Sequence, residues 1–276
     1  MQETGPLPPE LLQQLQRRAR ASGQSVDACL QQALRQYLKP TTGNHALYVS
    51  APVNALIEGI YQENTRIGDI LAHGDFGLGT FNDLDGEMLV LDGVVYQMRA
   101  DGHTYPVDAD TRTPYTCVCF FSADSTEQVR EPIDSFADLQ ALLARLLPSA
   151  NMIYAIRIEG AFDAIRFRSV PRQDSYRPLV EVAREQPEFE LQQVRGVLAG
   201  FWTPDFMGSL TVPGYHLHFI DAEHRTGGHL LDCRARELKI SLQHLASLQV
   251  GLPITLDYLT ADFTRDLGAD LQEAEH

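Results

Sequence analysis

No apolar run in this chain approaches ~18 residues, so no segment is long enough to cross a bilayer as a helix. Positive charge is scarce. Twenty-two Lys and Arg stand against 37 Asp and Glu, a net of −15, which argues against a nucleic acid backbone as partner. Cysteine is sparse as well. Cys29, Cys117, Cys119 and Cys233 form no C-x-x-C pair, and Cys117 and Cys119 alternate within the apolar run 115–121, so they read as buried thiols of a strand rather than metal or redox groups. The start, Met1 to Pro6, has neither a basic cluster nor an apolar stretch; no secretory signal is expected, and the cytoplasm is the expected compartment. Repeats and low-complexity tracts are missing too. What is present, 276 residues at 44 % hydrophobic and 21 % charged, suits one large folded domain or two modest ones with a sizeable core.

The first forty residues differ from the rest. Arg17, Arg18, Arg20, Arg35 and Lys39 outnumber Glu3, Glu10 and Asp27 there, leaving the remainder at −17. Pro9 and the recurrence of Leu11, Leu12, Leu15 and Ala19 predict one helix, stopped at Ser22-Gly23. Ser25 caps a second that runs to Tyr37, and 39–44 reads as a linker. The pair resembles the helical half of a ribbon-helix-helix module. The basic strand that would enter a DNA groove is missing, because Met1 to Leu7 holds no Lys or Arg, so self-association is the favoured role.

From His45 onward the pattern is α/β. Leu47–Ser50 and Tyr115–Phe121 predict strands, Val53–Tyr61 and Phe136–Leu147 amphipathic helices, and Glu87–Leu91 with Val94–Arg99 a hairpin turning at Asp92-Gly93. Asp75–Phe81 is too glycine-rich to predict regular structure. Further strands are expected at Tyr154–Ile158, Ala164–Arg168 and Gly196–Phe201.

One constellation points to chemistry. In Gly214-Tyr215-His216-Leu217-His218-Phe219-Ile220 a strand would put His216 and His218 on one face and Leu217 and Phe219 on the other. The polar segment 221–228 reads as a hairpin loop. Centred between residues 223 and 224, it would place His218 opposite His229, so that three imidazoles converge. Three histidines with an open position are the makeup of a catalytic zinc site. An H-x-H pair alone would arise by chance about 0.3 times in such a chain, so the third histidine carries the inference. His224 falls on the loop and is expected to be solvated; His45, His73, His103, His244 and His276 show no partner pattern. Glu87 interrupts an apolar stretch, although a carboxylate at the head of a strand is ordinarily exposed. Arg166 and Arg168 share a strand face, which is ordinarily solvated.

Longer motifs carry a resemblance. Gly74-Asp75-Phe76-Gly77-Leu78-Gly79-Thr80-Phe81-Asn82-Asp83-Leu84-Asp85-Gly86-Glu87, Arg168-Ser169-Val170-Pro171-Arg172-Gln173, Gly200-Phe201-Trp202-Thr203-Pro204, and the two histidine segments together resemble the α-acetolactate decarboxylases, from about Leu47 to the C-terminus. The resemblance implies a two-domain α/β fold with mixed and antiparallel sheets, here divided at 44–150 and 151–276 behind an N-terminal extension of 1–43. It implies a homodimer, a zinc ion held by His216, His218 and His229, and conversion of (S)-2-acetolactate to (R)-acetoin and carbon dioxide. It assigns Arg168, Glu87 and Glu275 to catalysis and Thr80 to substrate binding. In that chemistry zinc chelates the ketone and hydroxyl oxygens and stabilises an enediolate. Arg168 supports the same charge, and Glu87 or Glu275 holds the proton that sets product stereochemistry, which requires a raised carboxyl pKa. Two other readings compete. His216, His218 and Glu223 form H-x-H-x4-E, similar to the first motif of cupin oxygenases, but no second cupin motif follows. A metabolite-sensing regulator would use the N-terminal helices, against which the intact catalytic set and the acidic charge both argue.

Overall fold

The computed structural model describes residues 9–22, 25–30, 45–175, 177–265 and 267–275, apart from the side chains of residues 9, 10, 18, 21, 22, 272 and 275. Two compact units divide the chain, Met1–Gly43 and Asn44–His276. In the first, helix α1 spans Pro9–Ser22 and leaves Leu11 and Leu12 exposed. Ser25 then opens a helical stretch at 26–30, its Oγ accepting from the Ala28 amide at 3.1 Å. The continuation of that predicted helix to Tyr37, and the linker through Asn44, lie outside the described residues. Among the described residues no helix is long and apolar enough to cross a membrane.

The second unit is built on two sheets. The first contains β1 (Ala46–Val49), β2 (Phe76–Thr80), β3 (Glu87–Leu91), β4 (Val94–Met98), β5 (Thr104–Pro106), β6 (Thr116–Cys119) and β12 (Ser247–Val250), in the order β12-β1-β6-β2-β3-β4-β5. Its β1–β12 pair is parallel and the rest are antiparallel, so this sheet is mixed. The second sheet, antiparallel throughout, contains β7 (Ser125–Val129), β8 (Ile153–Arg168), β9 (Glu188–Thr203), β10 (Gly214–Asp221) and β11 (Gly227–Leu245), in the order β10-β9-β8-β11-β7. Each half of the chain lends a strand to the other's sheet: β7 joins β11, and β12 joins β1. Because β10 also pairs with the start of β11, the second sheet curls into a four-stranded ring at one end.

Period-two burial places the layers. Phe76, Leu78, Leu89, Leu91, Cys117 and Cys119 of the first sheet meet Ile153, Ala155, Ala199 and Phe201 of the second in one apolar interior. Tyr154, Ile156, Leu217 and Phe219 point the other way, with Leu139, Leu142 and Leu143 of helix α4 (Phe136–Leu146). The outer face of the first sheet, with Met88, Val90 and Val118, is covered by Ile67 and Ile70 of α3 (Ile67–Ile70) and by Phe81. All four cysteines are buried thiols.

Several elements depart from expectation. Asp75–Phe81 is not irregular: β2 occupies Phe76–Thr80 and is buried throughout. Its glycines let it approach β6 closely, since a Cβ at Gly77 would lie 2.0 Å from the Cys117 carbonyl oxygen and one at Gly79 2.3 Å from that of Tyr115. Helix α2 (Val53–Ile57) stops short of Tyr61. Gly59 takes φ 82°, its amide bonds the Leu56 carbonyl and that of Ile60 the Ala55 carbonyl, which is a Schellman stop. The two strands expected at 154–158 and 164–168 are one continuous β8. His224 is half-buried rather than solvated, its Nδ1 3.0 Å from the Tyr96 hydroxyl. The Asp92-Gly93 turn forms as expected, with φ of 53° and 77°, and Ser135 caps α4 through the Asp138 amide.

Candidate metal centre and active-site cavity

The histidine hairpin is built from its turn. The Asp221 carboxylate accepts from the amides of Arg225 (2.7 Å) and Thr226 (3.4 Å), and the Asp221 amide reaches the Thr226 carbonyl at 3.0 Å. That closure pairs His218 with His229. Along β10, Leu217 and Phe219 enter the outer core, while His216 and His218 share the opposite face with Ile220, toward the interior between the sheets. The ring centroids of His216, His218 and His229 lie 5.0 to 5.5 Å apart, and one nitrogen from each falls within 4.8 Å of the others.

His218 is fully buried. Its Nδ1 lies 2.8 Å from the Met88 carbonyl oxygen of β3, so Nδ1 carries the hydrogen and Nε2 the lone pair. Burial holds its pKa well below the usual histidine value; His216 and Arg168 lower it further, against the Met88 hydrogen bond. The imidazole is therefore neutral at pH 7, as a metal ligand must be. Nε2 has no hydrogen-bond partner and lies 3.6 Å from Glu87 Oε2. A buried, unpartnered nitrogen facing two further imidazoles, with its other ring nitrogen fixed by a backbone carbonyl, is the donor set a zinc ion fits.

The remaining predicted residues gather around the histidines from both sheets. Glu87 sits on the inward face of β3 with Leu89 and Leu91, and its side chain is only 12 % exposed, unlike an ordinary strand-head carboxylate. Thr80 is its cross-strand partner on β2, and its Oγ1 donates to the Gly86 carbonyl at 2.8 Å. Gly86 turns the chain between them at φ 88°. Arg168 ends β8 between His229 of β11 and Glu188 of β9. Its Nη2 donates to the Ala274 carbonyl, and its Nε is buried without an acceptor. These groups enclose a cavity of about 40 Å³, lined by Thr80, Glu87, Arg168, His216, His229 and Gln186, with Leu56, Leu84, Val170 and Leu179 as apolar walls. Helices α5 (Leu179–Ala183) and α7 (Gly268–Glu275), which follows α6 (Leu256–Thr260) in the chain, flank it; Leu179 and Ala274 reach the lining, and Arg184 is bonded to Glu273. Glu275 ends α7 directly after Ala274, and its side chain lies outside the described residues.

Glu223 does not join this group. It is exposed on the hairpin loop, 3.9 Å from Arg225, which removes the third ligand of the cupin pattern. Arg166, two residues before Arg168, is exposed and meets Glu188 at 3.2 Å. Sequence reasoning missed two features. Gln186 on the cavity wall belongs to no motif quoted above. His45, Asp124 and His244 form a second cluster near the surface: the rings stack at 4.4 Å, His45 Nδ1 donates to the His244 carbonyl at 2.8 Å, and His244 Nδ1 meets Asp124 at 2.6 Å. Those bonds tie the start of β1 to the end of β11, and no local spacing could reveal them because the histidines are 199 residues apart.

The sequence matches the profile of the Alpha-acetolactate decarboxylase family over residues 47–265. The alpha-acetolactate decarboxylase of Methylococcus capsulatus is 43 % identical over 236 residues, 84 % of this chain and 90 % of that protein. That of Methanosarcina mazei is 38 % identical over 242 residues, 86 % of this chain and 84 % of its own. The crystal structure of alpha-acetolactate decarboxylase from Bacillus subtilis strain 168 superposes with a TM-score of 0.80 at 35 % identity, over 83 % of this chain and 99 % of that one. The chain belongs to the alpha-acetolactate decarboxylase family.

Proposed function

We propose that this decarboxylase is zinc-dependent and converts (S)-2-acetolactate to (R)-acetoin and carbon dioxide. The observation that carries the reading is the convergence of the three imidazoles of His216, His218 and His229 at the edge of a cavity that His216, His229, the Glu87 carboxylate and the Arg168 guanidinium line. His216, His218 and His229 would hold zinc, which when bound supplies a positive centre for the ketone and hydroxyl oxygens of the substrate. Arg168 faces the substrate carboxylate and then the negative charge that spreads to the ketone oxygen as the carbon–carbon bond breaks. The apolar walls exclude water and so strengthen that interaction. A proton must then reach the carbon that lost carbon dioxide from one side only. Glu87, largely shielded beside the histidines, is one candidate to hold it, and Glu275 at the end of α7 is the other. Thr80 orients substrate from β2.

The test is acetoin release from racemic 2-acetolactate, with chelator, with zinc restored, and with dissolved oxygen monitored. Release that falls on chelation, returns with zinc and consumes no oxygen is expected. A folded, zinc-loaded protein that releases no acetoin would end the reading. We further propose a cytoplasmic homodimer whose catalytic unit divides into halves 44–150 and 151–276, with residues 1–43 contributing to self-association. Deleting residues 1–42 should lower the number of chains per particle in solution, and an unchanged number would count against that role.

A further inference from the structure

Gln186 stands between α5 and β9, and its neighbours fix its place. The Glu185 amide closes onto the Val182 carbonyl, and the Pro187 carbonyl accepts from the Ser169 amide at 3.3 Å. Ser169 follows Arg168, and Glu188 pairs with Arg168 across β8 and β9. Gln186 is thereby held on the cavity wall beside that arginine. Its Oε1 is shut off from solvent and accepts no hydrogen bond. A buried acceptor without a donor costs stability, and a ligand that brings the donor would remove that cost.

The rest of the wall narrows what that ligand atom can be. Thr80 Oγ1 already gives its proton to Gly86, whereas Arg168 Nε offers a hydrogen that nothing accepts. Among the wall's side-chain atoms that are shut off from solvent, one donor, Arg168 Nε, and one acceptor, Gln186 Oε1, are left without a hydrogen-bond partner. A 2-hydroxy-3-oxo acid near neutral pH carries a carboxylate and a ketone as acceptors, and its tertiary hydroxyl is its single donor. We propose that Gln186 contacts the substrate, its Oε1 accepting a hydrogen bond from that hydroxyl while Arg168 takes the carboxylate, so that Gln186 makes the site select 2-hydroxy acids. This rests on the decarboxylase reading above.

The experiment compares wild type with Gln186→Met, which keeps length but removes the amide, and Gln186→Glu, which keeps an acceptor oxygen. Each is assayed with 2-acetolactate and, as competing ligand, with 2,2-dimethylacetoacetate, in which a methyl group replaces the hydroxyl. Gln186→Met should lose about 10–100-fold in kcat/KM, keep its zinc, and lose most of the preference for the hydroxylated ligand. Its Tm should stay level or rise, because a buried unpartnered acceptor is gone. Gln186→Glu should retain the preference while its KM rises from repulsion of the substrate carboxylate. An active wild type whose Gln186→Met variant matches it in kcat/KM and preference would overturn the inference alone. So would a parallel fall in Tm and activity with the preference intact, which marks a structural role. Should Gln186→Met not fold, loss of the preference in Gln186→Glu overturns it as well. A wild type that releases no acetoin removes the decarboxylase reading, and this assignment with it.

Discussion

Removing the imidazole of His218 should cost the protein its metal, its turnover and the thermal stability that the metal supplies, all together. The side chain is fully buried and its Nδ1 is held by the Met88 carbonyl, so its position is set by the packing of the two sheets. Alanine would leave His216 and His229, two ligands where an open catalytic site needs three. With free zinc at about 1,000 times its Kd, binding stabilises the wild type by about 4.1 kcal/mol. A unit of this size gains about 2–4 °C in Tm per kcal/mol, so chelation should lower the wild-type Tm by about 8–16 °C. In the metal-free state the variant loses packing at the vacated site, but it also sheds the unpartnered Nε2, a burden of about 1–3 kcal/mol. The metal-free Tm values of the two proteins should therefore lie close together. Scanning calorimetry with chelator and with zinc, read beside metal content per chain and acetoin release, checks this. A His218→Ala protein that still binds one zinc per chain, or whose Tm zinc still raises by about 8 °C, would contradict this prediction.

Glu275→Gln should keep the metal and lose rate; full turnover in that variant would remove Glu275 from the mechanism and leave Glu87 as the proton source. Gly79→Ala should destabilise by about 3 kcal/mol, the upper end for overpacking, because the new Cβ would meet the Tyr115 carbonyl oxygen at 2.3 Å. A wild-type melting temperature there would show that β2 and β6 can part freely. Burial raises the pKa of Glu159, but hydrogen bonds and charge from Lys239 and Arg157 outweigh it and hold the carboxyl below its usual value. A depressed carboxylate contributes stability above its unfolded pKa and loses it as pH falls through the folded one. Both partners are partly exposed, so Lys239→Gln should cost only about 0.5–1 kcal/mol at pH 7, and the difference from wild type should vanish in denaturant titrations at lower pH.

What could be read from the sequence is what the chain closes over short separations. The Asp92-Gly93 turn and the pairing of His218 with His229 both follow from residues close in the chain, where connectivity itself sets the register. The histidine trio is legible for that reason, and the longer motifs mark Glu87, Arg168 and Thr80 through resemblance. Tertiary structure decided the rest. Whether Glu87 is buried depends on the second sheet lying over β3, and the hydrogen bond from His218 to Met88 joins residues 130 apart. The glycines of β2 look like a loop until β6 is known to press against them. Gln186 has no pattern at all; only the cavity wall shows that its oxygen lacks a donor. Hydrogen bonds within a turn are dictated by local backbone geometry, whereas burial and convergence across sheets depend on which distant surfaces pack, and one strand's pattern does not name its neighbour.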